Sequence, residues 1–168
     1  TESDVGRRCA AQMLLGGADK TPYTAFGSGT PSYDSIIMGP TDRIPSSGDV
    51  LIIDTGTTFD GYFCDFDRNF AFESLSDPSR KAHEVVHRAT DAGFAAARPG
   101  ATTTDVWCAM WSVLEAGGAL GNSVGRMGHG LGMQLTEWPS VRAGDDTPLV
   151  PGAALTLEPG MTFAPGQQ

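Results

Sequence analysis

Residues 53–68, IDTGTTFDGYFCDFDR, read as two strands joined by a tight turn, yet they carry four aspartates: Asp54, Asp60, Asp65 and Asp67. Aspartate is depleted in strands and costly to bury without a partner. Asp60-Gly61 is a strong two-residue hairpin signal, so Phe59 lies opposite Tyr62. Counting outward, Gly56 faces Asp65 and Asp54 faces Asp67. Opposed residues share a face of the sheet, and alternation then puts Asp54, Asp65 and Asp67 together on one face. Asp54 and Asp65 become diagonal neighbours about 7–8 Å apart at the backbone, within side-chain reach. A three-residue turn would send them to opposite faces.

Carboxylates gathered in this way repel, and something cationic must offset them. Arg68 alternates to the other face. A divalent metal is the better counter-charge, because carboxylates bind hard or borderline cations. The plainer alternative is a solvent-facing hairpin with acidic decoration, which the flanking LIID and YFCDF disfavour. Two further residues suit a metal. His129 lies in MGHGLG, where glycines on both sides let other groups approach the imidazole. Glu158 lies in ALTLEPG, where Leu155 and Leu157 face one way and Thr156 and Glu158 the other. Taken singly, His129 reads as a loop histidine and Glu158 as an edge charge.

The rest of the chain frames these residues. Its 168 residues suit one domain with a real core, and 22 glycines imply many tight turns and close backbone approaches. The net charge of −9 argues against nucleic acid and against an anionic membrane surface. No stretch reads as a signal peptide, and no apolar run approaches roughly 18 residues, so no membrane span is expected. Cys9, Cys64 and Cys108 form no CxxC pair, which fits a reducing compartment. The opening at Thr1 without Met and the end at APGQQ read as a piece of a longer protein.

Thr1 with Asp4 forms a capping pattern for a helix to about Leu15. Residues 18–35 read as loop with one strand near Tyr23–Phe26. Ser46–Asp49 form a turn, and Val50–Asp54 a strand. Asp77-Pro78 starts a second helix whose apolar face is Ala82, Val85, Val86, Ala89, Gly93 and Ala96. A third opens at Thr102–Thr104 and runs through Trp107 and Trp111, read as core, to Gly117-Gly118. Strands are expected in GHGLGMQLTE and AALTLEPGMTF. The class is α+β, with a mostly antiparallel sheet flanked by helices.

VLIIDTG…DGYFCDFDR, then GHGLG, then LTLEPGM, with the two aspartates eleven apart, resembles the pita-bread metallopeptidase family of Xaa-Pro aminopeptidases, prolidases, methionine aminopeptidases and creatinase. The resemblance covers nearly the whole chain. It implies a pseudo-twofold pita-bread fold, of which residues 1–168 are a partial catalytic domain lacking its C-terminal end and any N-terminal domain. It also implies two divalent ions (Mn, Co, Zn or Fe) held by Asp54, Asp65 as bridge, His129 and Glu158. Glu158 would also be catalytic and shuttle protons, and the second glutamate ligand would lie beyond Gln168. The implied reaction is attack of metal-activated water on a peptide-like C–N bond. The resemblance favours a homodimer acting on a small peptide or a small amine-bearing metabolite, and the reducing compartment read from the cysteines makes the expected location cytoplasmic.

Two departures stand out. The family peptidases carry a histidine ahead of the first aspartate, where this chain has Ile36-Ile37-Met38. They carry another seven residues after the histidine ligand, where it has Thr136 beside Glu137. These departures leave room for a creatinase-like hydrolase, a dimethylsulfoniopropionate-type lyase or a non-catalytic binding domain, with Glu137 and Trp138 lining an altered pocket. A rival motif, HEVVH at 83–87, matches the zinc-protease helix HExxH. It lacks a third histidine at the extended spacing, and Glu115 is its only candidate partner on the next helix. His83 and His87 read as partly exposed helix residues.

Overall fold

The computed structural model describes residues 1–29, 33, 39–121 and 125–168. The Ile36-Ile37-Met38 window lies outside them. Two compact units are present: Thr1–Ser76 with Gly132–Leu135, and Asp77–Leu131 with Thr136–Gln168.

The first unit holds helix α1 (Glu2–Leu15) and strands β1 (Lys20–Ser28), β2 (Val50–Phe59), β3 (Tyr62–Phe63) and β4 (Phe66–Ala71). Thr1 and Asp4 form the expected capping box, and the helix stops at Gly16. The sheet is antiparallel, with β2 in the middle, β1 on one side and β3 and β4 on the other. Phe26, Leu51 and Ile53 form its core, with Val5 and Cys9 of α1 against them. β1 is longer than the expected strand, and β2 continues past Asp54 to the hairpin turn. Threonine and phenylalanine, both good strand formers, carry β2 on to Phe59.

Glu2, 1% exposed, ties α1 down. Its carboxylate accepts hydrogen bonds from the Ser28 hydroxyl at 2.5 Å, the Thr41 amide at 3.0 Å and the Thr41 hydroxyl at 2.7 Å. Arg43 donates to Ser28 at 2.7 Å and pairs with Asp49 at 2.8 Å. Burial alone would raise the Glu2 pKa, but these donors and the Arg43 charge hold it below the ordinary carboxylate range. A depressed folded-state pKa contributes stability above the unfolded-state value and loses it as pH falls. Glu2→Gln is therefore expected to cost about 1–3 kcal/mol near neutral pH, because it turns an acceptor into a donor facing donors. In urea unfolding, the gap between wild type and variant should shrink as pH drops below about 4.5.

The second unit packs α2 (Asp77–Ala96) against α3 (Thr103–Ala116). Ala82, Val85 and Ala89 meet Val106, Met110 and Leu114, joined by Met127, Val141, Leu149 and Met161. Thr102 caps α3 through a capping box with Asp105. Trp107 and Trp111 stack at 5.7 Å on the edge of this core, half-buried rather than inside it. Strands β5 (His129–Gly130) and β6 (Glu137–Ser140) pair antiparallel. The expected strand over AALTLEPGMTF is reduced to isolated bridges, Gly130 with Leu155 and Gly121 with Thr162. The backbone still runs alongside β5, through Thr156 N to His129 O at 2.9 Å and Glu158 N to Met127 O at 3.0 Å. The His129 amide, however, donates to the Thr156 hydroxyl at 3.0 Å, which breaks the reciprocal ladder. No helix among the described residues is long and apolar enough to cross a membrane.

Candidate metal centre

In the first unit the Asp60-Gly61 turn has φ of 50° and 82°, two positive values as a type I′ turn requires. Phe59 pairs with Tyr62, and the register carries through to Thr55–Phe66 and Asp54–Asp67. Between β3 and β4 the Cys64 amide donates to the Thr57 carbonyl at 3.0 Å, so the register does not slip. Asp54, Asp65 and Asp67 therefore share a face, Asp54 and Asp65 half-buried and Asp67 exposed. Arg68 sits opposite Ile53 on the other face, over the Phe66 ring at 5.2 Å. Cys64 is a half-buried free thiol, its sulfur 3.0 Å from the Thr57 hydroxyl.

Sequence reasoning missed Tyr23. Its hydroxyl donates to Asp65 Oδ1 and lies in hydrogen-bonding range of Asp54. Burial, the bond to Asp65 and the charge of Asp54 all push the Tyr23 pKa well up, so it stays a neutral donor. The visible signal was weak: a tyrosine in a strand whose partner across the sheet is glycine.

In the second unit His129 is 2% exposed. Its strand is held on both sides, by Val141 N to Gly128 O at 2.9 Å and by the Thr156 amide. His129 Nδ1 lies 2.9 Å from the Gly130 carbonyl oxygen, which can only accept, so Nδ1 carries the proton. In the neutral ring the lone pair is then on Nε2, the ligating atom of many metal histidines. Nε2 is 3.4 Å from Glu158 Oε1. An imidazole lone pair facing a carboxylate oxygen at that distance suits a shared cation. Arg126, also absent from the sequence reading, stands 3.9 Å from the same Glu158 oxygen. Leu155 and Leu157 pack on the core, as their alternation with Glu158 requires. The donor types fit divalent cations: carboxylate oxygens with one imidazole oriented through its other nitrogen.

The rival helix motif gathers nothing. His83, Glu84 and His87 are exposed on α2, and His87 Nδ1 faces Asp91 at 3.3 Å. Among the described residues no group of three or more ligating side chains includes either histidine. Thr136 is exposed, Glu137 half-buried and Trp138 76% exposed.

Comparison with known proteins agrees with this chemistry. The model of metallopeptidase family M24 matches residues 1–168. The probable dipeptidase PepE of Mycobacterium tuberculosis is 34% identical over 168 residues, covering 99% of this chain and 44% of the relative. An Xaa-Pro dipeptidase of Lactobacillus helveticus is 33% identical over 129 residues, covering 77% of this chain and 35% of the relative. The crystal structure of dipeptidase PepE from Mycobacterium ulcerans superposes with a TM-score of 0.93 at 33% identity, over 99% of this chain and 45% of that one. The fold is the pita-bread fold of prolidases and aminopeptidases. The chain spans less than half the length of these relatives. With the family model matched from end to end, this chain belongs to metallopeptidase family M24.

Proposed function

We propose that the chain is the larger part of a dinuclear-metal centre that hydrolyses the C–N bond of small peptides. Asp54, Asp65, His129 and Glu158 are its ligands in this reading. The observation that carries it is His129: buried, with Nδ1 committed to a backbone carbonyl and Nε2 turned to the Glu158 carboxylate. When bound, two divalent ions supply a strongly acidified water and polarise the scissile carbonyl. Asp54 and Asp65 would help hold these ions and offset their charge. Glu158 Oε1 accepts the proton released on attack and returns it to the leaving amine nitrogen, the two proton transfers that amide hydrolysis needs. Arg126 stands beside this carboxylate, 3.9 Å from Glu158 Oε1.

The rest of the site extends this reading. The family's second glutamate ligand is assigned to sequence outside these residues. The ions are Mn, Co, Zn or Fe, with manganese the first to try. Three free thiols favour a reducing, cytoplasmic setting, and the family favours a homodimer. Glu137 and Trp138, on the strand paired with β5, line the substrate side in place of the missing histidines. The creatinase-like, lyase and non-catalytic readings draw no support from relatives named as dipeptidases.

The test is hydrolysis by the full chain of two dipeptides, one with proline and one with leucine in second position, in Mn²⁺ and then in chelator. Hydrolysis that a chelator abolishes and Mn²⁺ restores is the expected result. No hydrolysis of either dipeptide at saturating metal would overturn the peptidase reading.

A further inference from the structure

The first unit contains a device whose purpose the ligand set alone does not explain. Along β1, Lys20 pairs with Thr58 and Tyr23 with Gly56. Three residue steps on β1 therefore match two on β2, so one extra residue is inserted at Thr21-Pro22. Proline has no amide hydrogen to give a ladder, and a bulge is one of the few places a strand tolerates it. A bulge also re-aims the side chains that follow it. Without this one, Tyr23 would stand opposite Thr55, and its ring would point to the face away from Asp54 and Asp65.

The bulge is matched by a gap in the next strand. Gly56 is buried, and a Cβ built there would lie 2.5 Å from Tyr23 Cε1 and 2.2 Å from the Cys64 carbonyl oxygen. The tyrosine ring thus crosses the middle strand through the space that any larger residue would fill. Its hydroxyl emerges at Asp65 Oδ1, on the strand beyond, with Asp54 also in range. Bulge, gap and ring together deliver one hydroxyl donor to the face that carries Asp54, Asp65 and Asp67.

We propose that Tyr23 is a positioning residue for the metal centre, its hydroxyl holding the Asp65 carboxylate, beside Asp54, in the orientation that receives the ions. The proposal rests on the ligand assignment of the preceding section and deepens it. A hydroxyl has one hydrogen to donate, so it occupies one lone pair of the Asp65 carboxylate and leaves the remaining lone pairs on both oxygens for metal. Two like-charged carboxylates on one face swing apart in the absence of a cation, and a ligand that must be reordered binds more weakly. Partners of this kind, one bond removed from the metal, are typically worth about 10–100-fold in metal affinity.

The test compares Tyr23→Phe, Asp65→Ala and, as control, Tyr62→Phe on the exposed hairpin, all in the full chain. Mn²⁺ affinity is read by titration calorimetry, alongside the melting temperature of the metal-free protein and the kcat and KM for a dipeptide. Tyr23→Phe keeps the ring over Gly56 and removes only the donor. The expected result is an Mn²⁺ affinity about 10–100-fold weaker, with kcat largely recovered by excess Mn²⁺ and KM little changed, while Tyr62→Phe matches wild type. A packing role alone would lower the melting temperature without moving metal affinity. Unchanged affinity in Tyr23→Phe, with metal lost in Asp65→Ala, would overturn the positioning role and leave the ligand assignment standing. Full affinity in Asp65→Ala would overturn the ligand assignment, and the proposal with it.

Discussion

Asp65→Ala is expected to strip the protein of bound metal and to lower peptide hydrolysis by at least about 10³-fold, the equivalent of roughly 4 kcal/mol of lost transition-state stabilisation. The size of the effect follows from position. Asp65 sits between β3 and β4, its side chain on the same face as Asp54. Alanine leaves the Asp60-Gly61 turn and the Asp54–Asp67 pairing intact, so the fold has little reason to change. In the proposed ligand set, the first unit would then keep Asp54 without its neighbouring carboxylate, which weakens its hold on a cation. His87→Ala serves as the counter-test, because its ring lies on the exposed face of α2 beside Asp91. Exposed positions of that kind shift free energies by no more than about 0.5 kcal/mol, so metal content and rate should stay within about twofold. Metal content by mass spectrometry separates the two sites. Metal kept in Asp65→Ala and lost in His87→Ala would move the centre to the helix motif.

Much of this site was legible in the sequence because it rests on local rules. The Asp60-Gly61 dipeptide fixes a turn type, the turn fixes a register, and the register fixes which aspartates share a face. Helix caps at Thr1 and Thr102 and the apolar spacing of α2 are equally local, and the structure reproduces them. Tyr23 was illegible for the opposite reason. Its place depends on one inserted residue in β1, and alternation cannot be read across a bulge whose existence is not known. Pro22 was a hint of that bulge. Arg126 was missed because its approach to Glu158 joins residues 32 apart in the chain through backbone pairing that no short pattern reports. The strand expected around Glu158 failed in a more instructive way. The alternation of Leu155, Thr156, Leu157 and Glu158 was read correctly, but the Thr156 hydroxyl takes the hydrogen bond its own carbonyl would have accepted.

That substitution of hydroxyl for carbonyl points to the second large effect, at Gly128. Its φ is +150°, in the region that side chains avoid, and an added Cβ would stand 2.1 Å from the Thr156 carbonyl oxygen and 3.3 Å from Val141 Cγ2. The obstacle is backbone and cannot swing aside. To admit even a methyl group, the 154–158 segment must retreat from the 127–131 segment. Their shared bonds, Thr156 N to His129 O and Glu158 N to Met127 O, are what hold Glu158 Oε1 at 3.4 Å from His129 Nε2. Gly128→Ala is therefore expected to cost about 3 kcal/mol or more, combining backbone strain with forced displacement, and to weaken metal binding as the imidazole and carboxylate part. Gly152→Ala isolates the strain component. Gly152 also has positive φ, +86°, but nothing lies within 4 Å of the added methyl group. It should lose only about 1–2 kcal/mol in urea unfolding and keep its metal. If the two variants lose equal stability and both keep metal, the glycine before His129 serves its backbone conformation alone. If only Gly128→Ala sheds metal, the close approach of the two segments is what sets the ligand geometry.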